Sequence, residues 1–153
     1  MRKVLILVMA ALVFPVAARA DMDGYGKVVA ANAVMMGTTT IRLWGIDPPP
    51  PGSVCVIDGT TDNCRALAQQ MLRELTQQHP IYCEEVAHEA EHYVTGRCTL
   101  SPADLGSLLV NAGLARDNRA ESGGIYTFAE SNARARGRGL WAQAPLPASA
   151  EGE

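Results

Sequence analysis

The stretch Thr40-Ile41-Arg42-Leu43-Trp44-Gly45-Ile46-Asp47-Pro48-Pro49-Pro50 decides how this 153-residue chain is read. Thr38 to Ile41 are β-branched and favour a pleated strand. Pro48 to Pro51 forbid its continuation, because each removes a backbone donor and fixes φ. A cation, Arg42, and a carboxylate, Asp47, are thus delivered to one place where a strand stops. Five positions apart, they face opposite sides of a regular strand. A bend or bulge at Gly45 would bring them together in a corner suited to a phosphate or a metal ion.

Around this corner the chain reads as strands, a helix, more strands and two helices. Tyr25 to Ala33 and Thr39 to Ile46 read as a hairpin that turns at Met35-Met36-Gly37-Thr38. Gly52 to Asn63 reads as a loop. Asp62 or Asn63 caps a helix from about Cys64 to Gln78, with Leu67, Met71, Leu72 and Leu75 on one face and Pro80 as its stop. Ile81 to Val86 and Tyr93 to Leu100 are strand candidates. Ser101-Pro102-Ala103-Asp104 reads as a helix start with serine at the cap. Leu105, Leu108 and Leu109 form that helix's apolar face, and Gly113 closes it. Asp117 to Gly124 is a polar loop, and a last helix runs from about Thr127 to Arg136, with Trp141 packed inward beyond it. Arg134, Arg136 and Arg138 form a basic run, ordinarily a solvated face. This order fits a small α+β fold with a five-stranded barrel.

The start of the chain has its own chemistry. Met1-Arg2-Lys3 is basic, Val4 to Val16 is apolar, and Ala18-Arg19-Ala20 fits the small-x-small cleavage pattern. Residues 1–20 are therefore expected to be a signal peptide, residues 21–142 one domain, and residues 143–153, rich in proline and alanine, a flexible tail. The expected location is the periplasm or the extracellular medium, with no membrane contact after cleavage and a monomeric state. Removing Arg2, Lys3 and Arg19 leaves ten basic against sixteen acidic residues, a net charge of about −6. That balance disfavours nucleic acid as a partner and leaves the partner unnamed. Four cysteines in an exported domain suggest two disulfides. Three pairings are possible; Cys55–Cys64 with Cys83–Cys98 is favoured because each pair brackets one loop or hairpin.

Arg42-Leu43-Trp44-Gly45-Ile46-Asp47-x-Pro resembles the central motif of the staphylococcal nuclease (thermonuclease-like) family. Leu109-Val110-Asn111-Ala112-Gly113-Leu114-Ala115 and Gly139-Leu140-Trp141-Ala142 extend the likeness from about Gly26 to Ala142. The resemblance implies an OB-fold barrel with flanking helices and calcium-assisted, in-line phosphodiester hydrolysis. Arg42 matches the first arginine of that mechanism, and Asp47 matches one calcium-binding aspartate. Elsewhere the pattern fails. Val28-Val29-Ala30-Ala31-Asn32-Ala33 puts Asn32 where a second metal aspartate belongs, and Pro48 replaces a threonine. Pro50 stands where the glutamate base belongs, and Tyr93 where the second arginine belongs. At most a weak calcium corner of Asp47 and Asn32 is expected, no cofactor being required, with Arg42 a catalytic remnant. The implied outcome is a nuclease-like scaffold with little or no nuclease activity; a diverged active nuclease is the alternative.

A rival motif, His88-Glu89-Ala90-Glu91-His92, matches the H-E-x-x-H zinc-peptidase signature. On a helix it would set both histidines on one Zn²⁺ with Glu89 activating water, and Glu121 or Glu130 would have to supply the third ligand. The segment lies between Cys83 and Cys98, where a hairpin is expected, so an exposed acidic hairpin is the simpler reading.

Overall fold

The structure, a computed structural model, describes residues 21–57 and 60–142. The expected signal peptide, the expected tail, and Asp58-Gly59 lie outside the described residues. Eleven strands and four helices follow one another along the described chain. They are β1 (Asp21–Gly24), β2 (Lys27–Ala30), β3 (Ala33–Met36), β4 (Thr39–Leu43), β5 (Ile46–Asp47), β6 (Val54–Ile57), β7 (Thr60–Asn63), α1 (Cys64–Gln77), β8 (Ile81–Ala90), β9 (Tyr93–Leu100), β10 (Ala103–Asp104), α2 (Leu105–Asn111), β11 (Arg116–Asp117), α3 (Arg119–Ser122) and α4 (Thr127–Ala135).

The α+β class holds, but the closed five-stranded barrel does not. The main sheet is a strongly curled half-barrel in the order β1-β8-β9-β4-β3-β2, with β10 paired to β9. Its neighbours are antiparallel except β4 and β9, which run parallel from Thr40 beside Tyr93 to Leu43 beside Gly96. The sheet's two outer strands are consecutive in the chain. Asp21–Gly24, outside the expected strand Tyr25 to Ala33, pairs with β8 and forms one edge, while Lys27–Ala30, inside it, pairs with β3 and forms the other. The break falls at Gly24-Tyr25-Gly26, where Gly24 has φ +139°, a conformation costly for other residues. Gly26 is buried and threads between the edges: a Cβ there would lie 3.2 Å from Ile81 Cδ1 and 3.3 Å from Val34 Cβ. No ladder joins β1 to β2 across this seam, and the half-barrel stays open.

Three other expectations change for local reasons. The expected hairpin is three strands, because Ala31-Asn32 makes a turn of its own and Met35-Met36 joins β3. The cysteine-held loop is itself a hairpin, β6 with β7. Asp104, not Ser101, caps α2, accepting from Ser107 N at 2.7 Å, while Ala103 and Asp104 first pair with β9. α1 starts and stops as the sequence predicts, with Asn63 Oδ1 accepting from Ala66 N at 3.1 Å. Both favoured disulfides form, Cys55–Cys64 and Cys83–Cys98, and each stabilises by about 2–4 kcal/mol. They are consistent with an exported protein. Among the described residues no helix is long and apolar enough to cross a membrane.

The core fills the concave side of the sheet. Val34, Ile41, Leu43, Ile81 and Val94 from the strands meet Leu72 of α1 and Leu105, Leu109 and Val110 of α2. Leu67, Met71 and Leu75 flank that contact, half-buried. Truncating a residue such as fully buried Leu72 to alanine costs about 2–5 kcal/mol. Trp141 is half-buried rather than inward, with the guanidinium of Arg134 at 3.8 Å and that of Arg116 at 5.3 Å from its ring centre.

Candidate functional site: an arginine clamped by carboxylates

Ile41 and Leu43 point into the core, so the alternation of β4 turns Arg42 outward at the strand's end. The ladder then breaks at Trp44-Gly45, where Gly45 has φ +74°. β5 leaves in a new direction and pairs with β11, Asp47 opposite Arg116. The bend required at Gly45 is present. It brings not Asp47 but another acid to Arg42.

That acid is Glu121. Asn118 caps the short helix α3, its Oδ1 accepting from Glu121 N at 3.3 Å, while Asn118 N donates to Gly45 O at 3.0 Å. The cap therefore fastens α3 to the bend. Glu121 then grips Arg42 as a fork. Its Oε1 accepts from Nη2 at 2.7 Å, and its Oε2 accepts from Nη1 at 3.1 Å and from Gly45 N at 3.0 Å. Paired, charge-assisted bonds of this geometry are the strong kind. A second acid, Glu89, comes from the end of β8, with Oε1 3.5 Å from Arg42 Nη2. The buried Thr95 hydroxyl holds it in place, donating at 2.6 Å.

The electrostatics follow from these contacts. Glu121 keeps the Arg42 pKa above its usual value. The hydrogen bond from Arg42 holds the Glu121 carboxyl below the ordinary range, against an opposing effect of burial. The Thr95 hydroxyl, with help from Arg42, does the same for Glu89. At neutral pH two carboxylates thus surround one guanidinium. Neither is tuned as a proton acceptor, since a general base works best with a pKa near the operating pH.

The other sequence-predicted residues lie around this clamp. Asp47 is exposed and its Oδ1 accepts from Asn118 Nδ2 at 3.1 Å. Asn32 sits in the β2–β3 turn beside β4, its carbonyl accepting from Leu43 N at 2.8 Å. Pro50 is exposed, and Tyr93 lies opposite Thr40 at the start of the parallel pair. The donor set does not fit calcium: one carboxylate already held by an amide, a neutral asparagine, and a proline where a hydroxyl would be needed.

The H-E-x-x-H segment is not helical. His88 and Glu89 are strand residues, and His92 occupies the following turn at φ +59°. His88 Nδ1 is 3.2 Å from Glu85 Oε1, and His92 lies 3.5 Å from both Glu91 Oε1 and Thr38 Oγ1. Glu89 turns to Arg42 instead. Glu130, a third-ligand candidate, is buried and pairs with Arg134 at 3.2 Å. Among the described residues no three His, Cys, Asp or Glu side chains converge for a metal.

The residue that dominates the corner, Glu121, was read only as a possible zinc ligand. A signal for its true setting was present. Asn118-Arg119-Ala120-Glu121 has the cap-x-x-acid spacing of a helix start, and Gly123, at φ +65°, follows as its C-terminal stop.

What fold and corner define together is a doubly disulfide-linked α+β half-barrel with an outward arginine clamp built from residues far apart in sequence. No family model matches the chain. It is distantly similar to the succinoglycan biosynthesis protein ExoI of Rhizobium meliloti (strain 1021), at 24% identity over 130 residues, 83% of this chain and 68% of that protein.

Proposed function

We propose that the chain is an exported domain on a staphylococcal-nuclease-like, OB-related scaffold that has exchanged hydrolysis for a binding or structural role. One observation carries this reading: the bidentate Glu121 grip on Arg42, at 2.7 and 3.1 Å. An arginine that stabilises a phosphorus-centred transition state must present free N–H groups to the developing charge. Here one N–H of each terminal nitrogen is taken by a carboxylate, with a second carboxylate beside them that repels a phosphate. OB-folds are partly open barrels, so an open seam is compatible with that lineage. The relative's name points to a biosynthetic process and not to nucleic-acid cleavage, which also supports the reading.

The magnitudes point the same way. Loss of a general base costs about 10²–10⁴-fold, and loss of one transition-state donor about 10²–10³-fold. Pro50 offers no proton acceptor, and Tyr93 offers no guanidinium. The test is hydrolysis of single- and double-stranded DNA by purified protein in calcium, with and without chelator. The expected result is no chelator-sensitive turnover above the blank. Turnover near that of an ordinary nuclease of this family would end the proposal.

A diverged active hydrolase is the second reading, and the placement of Glu89 beside Arg42 favours it, since an acid has returned to the corner by another route. The same assay separates the two. Under this reading, turnover is present and falls at least tenfold in Glu89→Gln.

A further inference from the structure

We infer that the cleft between the start of β2, next to the open seam of the half-barrel, and the end of α1 binds an acidic saccharide. The inference rests on charge and shape at the seam and is independent of the nuclease-like reading of the corner. The cleft has a volume of about 460 Å³ and is bordered by Tyr25, Gly26 and Lys27 from the seam and by Arg73, Thr76 and Gln77 of α1.

Its charge is the first argument. Ten basic residues follow Arg19. Seven have a side-chain partner among the described residues. Arg42 and Arg119 pair with carboxylates, and Arg97 and Arg134 pair with carboxylates and lie over tryptophan rings. Arg116 lies over Trp141, and Arg65 and Arg138 donate to backbone carbonyls. Lys27, Arg73 and Arg136 have no side-chain ion pair, hydrogen bond or ring contact among the described residues. Two of these three border the same cleft, in a chain whose acids outnumber its bases. Arg73 is also only partly exposed. A bound anion would supply what both cations lack.

The second argument is shape. The cleft is far larger than an inorganic anion needs. Tyr25 is 66% exposed, a large aromatic side chain with its ring in solvent at the cleft's rim. Such a ring offers a flat apolar face to the C–H side of a sugar, while the Gln77 amide provides both a donor and acceptors for hydroxyls. Two cations, a ring and an amide around a cleft of this size match a carboxylate-bearing mono- or disaccharide.

The test is an NMR titration of purified protein with digalacturonate at low salt, with maltose, inorganic phosphate and a short oligodeoxynucleotide as separate arms. Saturable shifts at residues 25–28 and 73–77 are expected with digalacturonate and not with maltose. Arg73→Gln and Lys27→Gln should each weaken binding about tenfold, the scale of one charge-assisted bond. Tyr25→Ala should weaken it severalfold, and Arg136→Gln should leave it unchanged. Circular dichroism checks that each variant is folded. The inference is overturned if digalacturonate does not bind or if both charge variants bind it as the parent does. It is equally overturned if phosphate or the oligonucleotide competes as strongly as the uronate, or if Tyr25→Ala is without effect.

Discussion

The corner and the seam both hold cations outside the core, and they treat them in opposite ways. At the end of β4, Arg42 has two carboxylates, one of which also accepts the Gly45 N–H. At the seam, Lys27 and Arg73 border a cleft with no side-chain partner among the described residues. The corner carries the sequence motif, yet its arginine is committed to holding α3 against the β4–β5 bend. The seam carries no motif, yet its charges are free. A charged residue is available to a ligand only where the fold has not already satisfied it. The corner is therefore an internal brace, and the seam the surface turned to the outside.

The sharpest way to break that comparison is to remove the brace. Glu121→Gln keeps the shape but leaves Arg42 without its fork, and it should destabilise by about 1–2 kcal/mol in urea unfolding, the cost of a partly exposed charge-assisted pair. A loss near zero would return Arg42 to the pool of free cations and undo the contrast. The same pair predicts a pH dependence. The folded Glu121 carboxyl lies below its ordinary 4.5, so its contribution is full above that value and is lost as the pH falls through the folded one. Glu89, also depressed, acts in the same direction. Stability of the parent should fall on acidification below about pH 5, and that fall should be shallower in Glu121→Gln.

Next in size is a change at the seam's backbone. Gly26→Ala places a methyl 3.2 Å from Ile81 Cδ1 and 3.3 Å from Val34 Cβ, contacts tight enough to push the edges apart. The expected cost is about 1 kcal/mol, at the low end for overpacking because both neighbours can shift slightly. A neutral or stabilising result would mean that the seam is looser than its packing indicates.

How much of this was legible depends on the range over which each feature is encoded. The α1 boundaries, a cap at Asp62 or Asn63 and a hairpin between Cys83 and Cys98 come from signals within a few residues; the structure selects Asn63 and extends β8 from Val86 to Ala90. The disulfides were favoured on the same local ground. The open seam was not legible, because Asp21-Met22-Asp23-Gly24 is built mostly of residues depleted in strands and gives no local sign that it forms the second edge. The α3 helix was legible in principle from Asn118 and Glu121, but the polar composition of residues 117–124 masked it. The fate of Arg42 could not be read at all: its partner lies 79 positions away, brought in by a bend at Gly45 that the sequence permits without specifying what it meets. The motif's neighbours Asp47 and Asn32 are in the expected region, but no local rule says which of several acids reaches the guanidinium.

The smallest effect is the one that sharpens the comparison most. Lys27→Gln and Arg73→Gln each delete one positive charge and keep much of the side-chain stem. At the corner, replacing a charged group strips a partner from a guanidinium and a backbone N–H. At the seam no partner is stripped, so the change should fall within about ±0.5 kcal/mol, the range of surface substitutions away from specific contacts. The double variant should be additive within about 0.5 kcal/mol, since neither side chain bonds the other or a common acid among the described residues. Urea unfolding at neutral pH measures both. A loss above about 1 kcal/mol in either single variant would mark the seam cations as braces like Arg42, held by contacts beyond the described residues. Stability left intact, beside a measurable loss in Glu121→Gln, would mean that Arg42 is committed to the architecture while Lys27 and Arg73 are left for what binds at the seam.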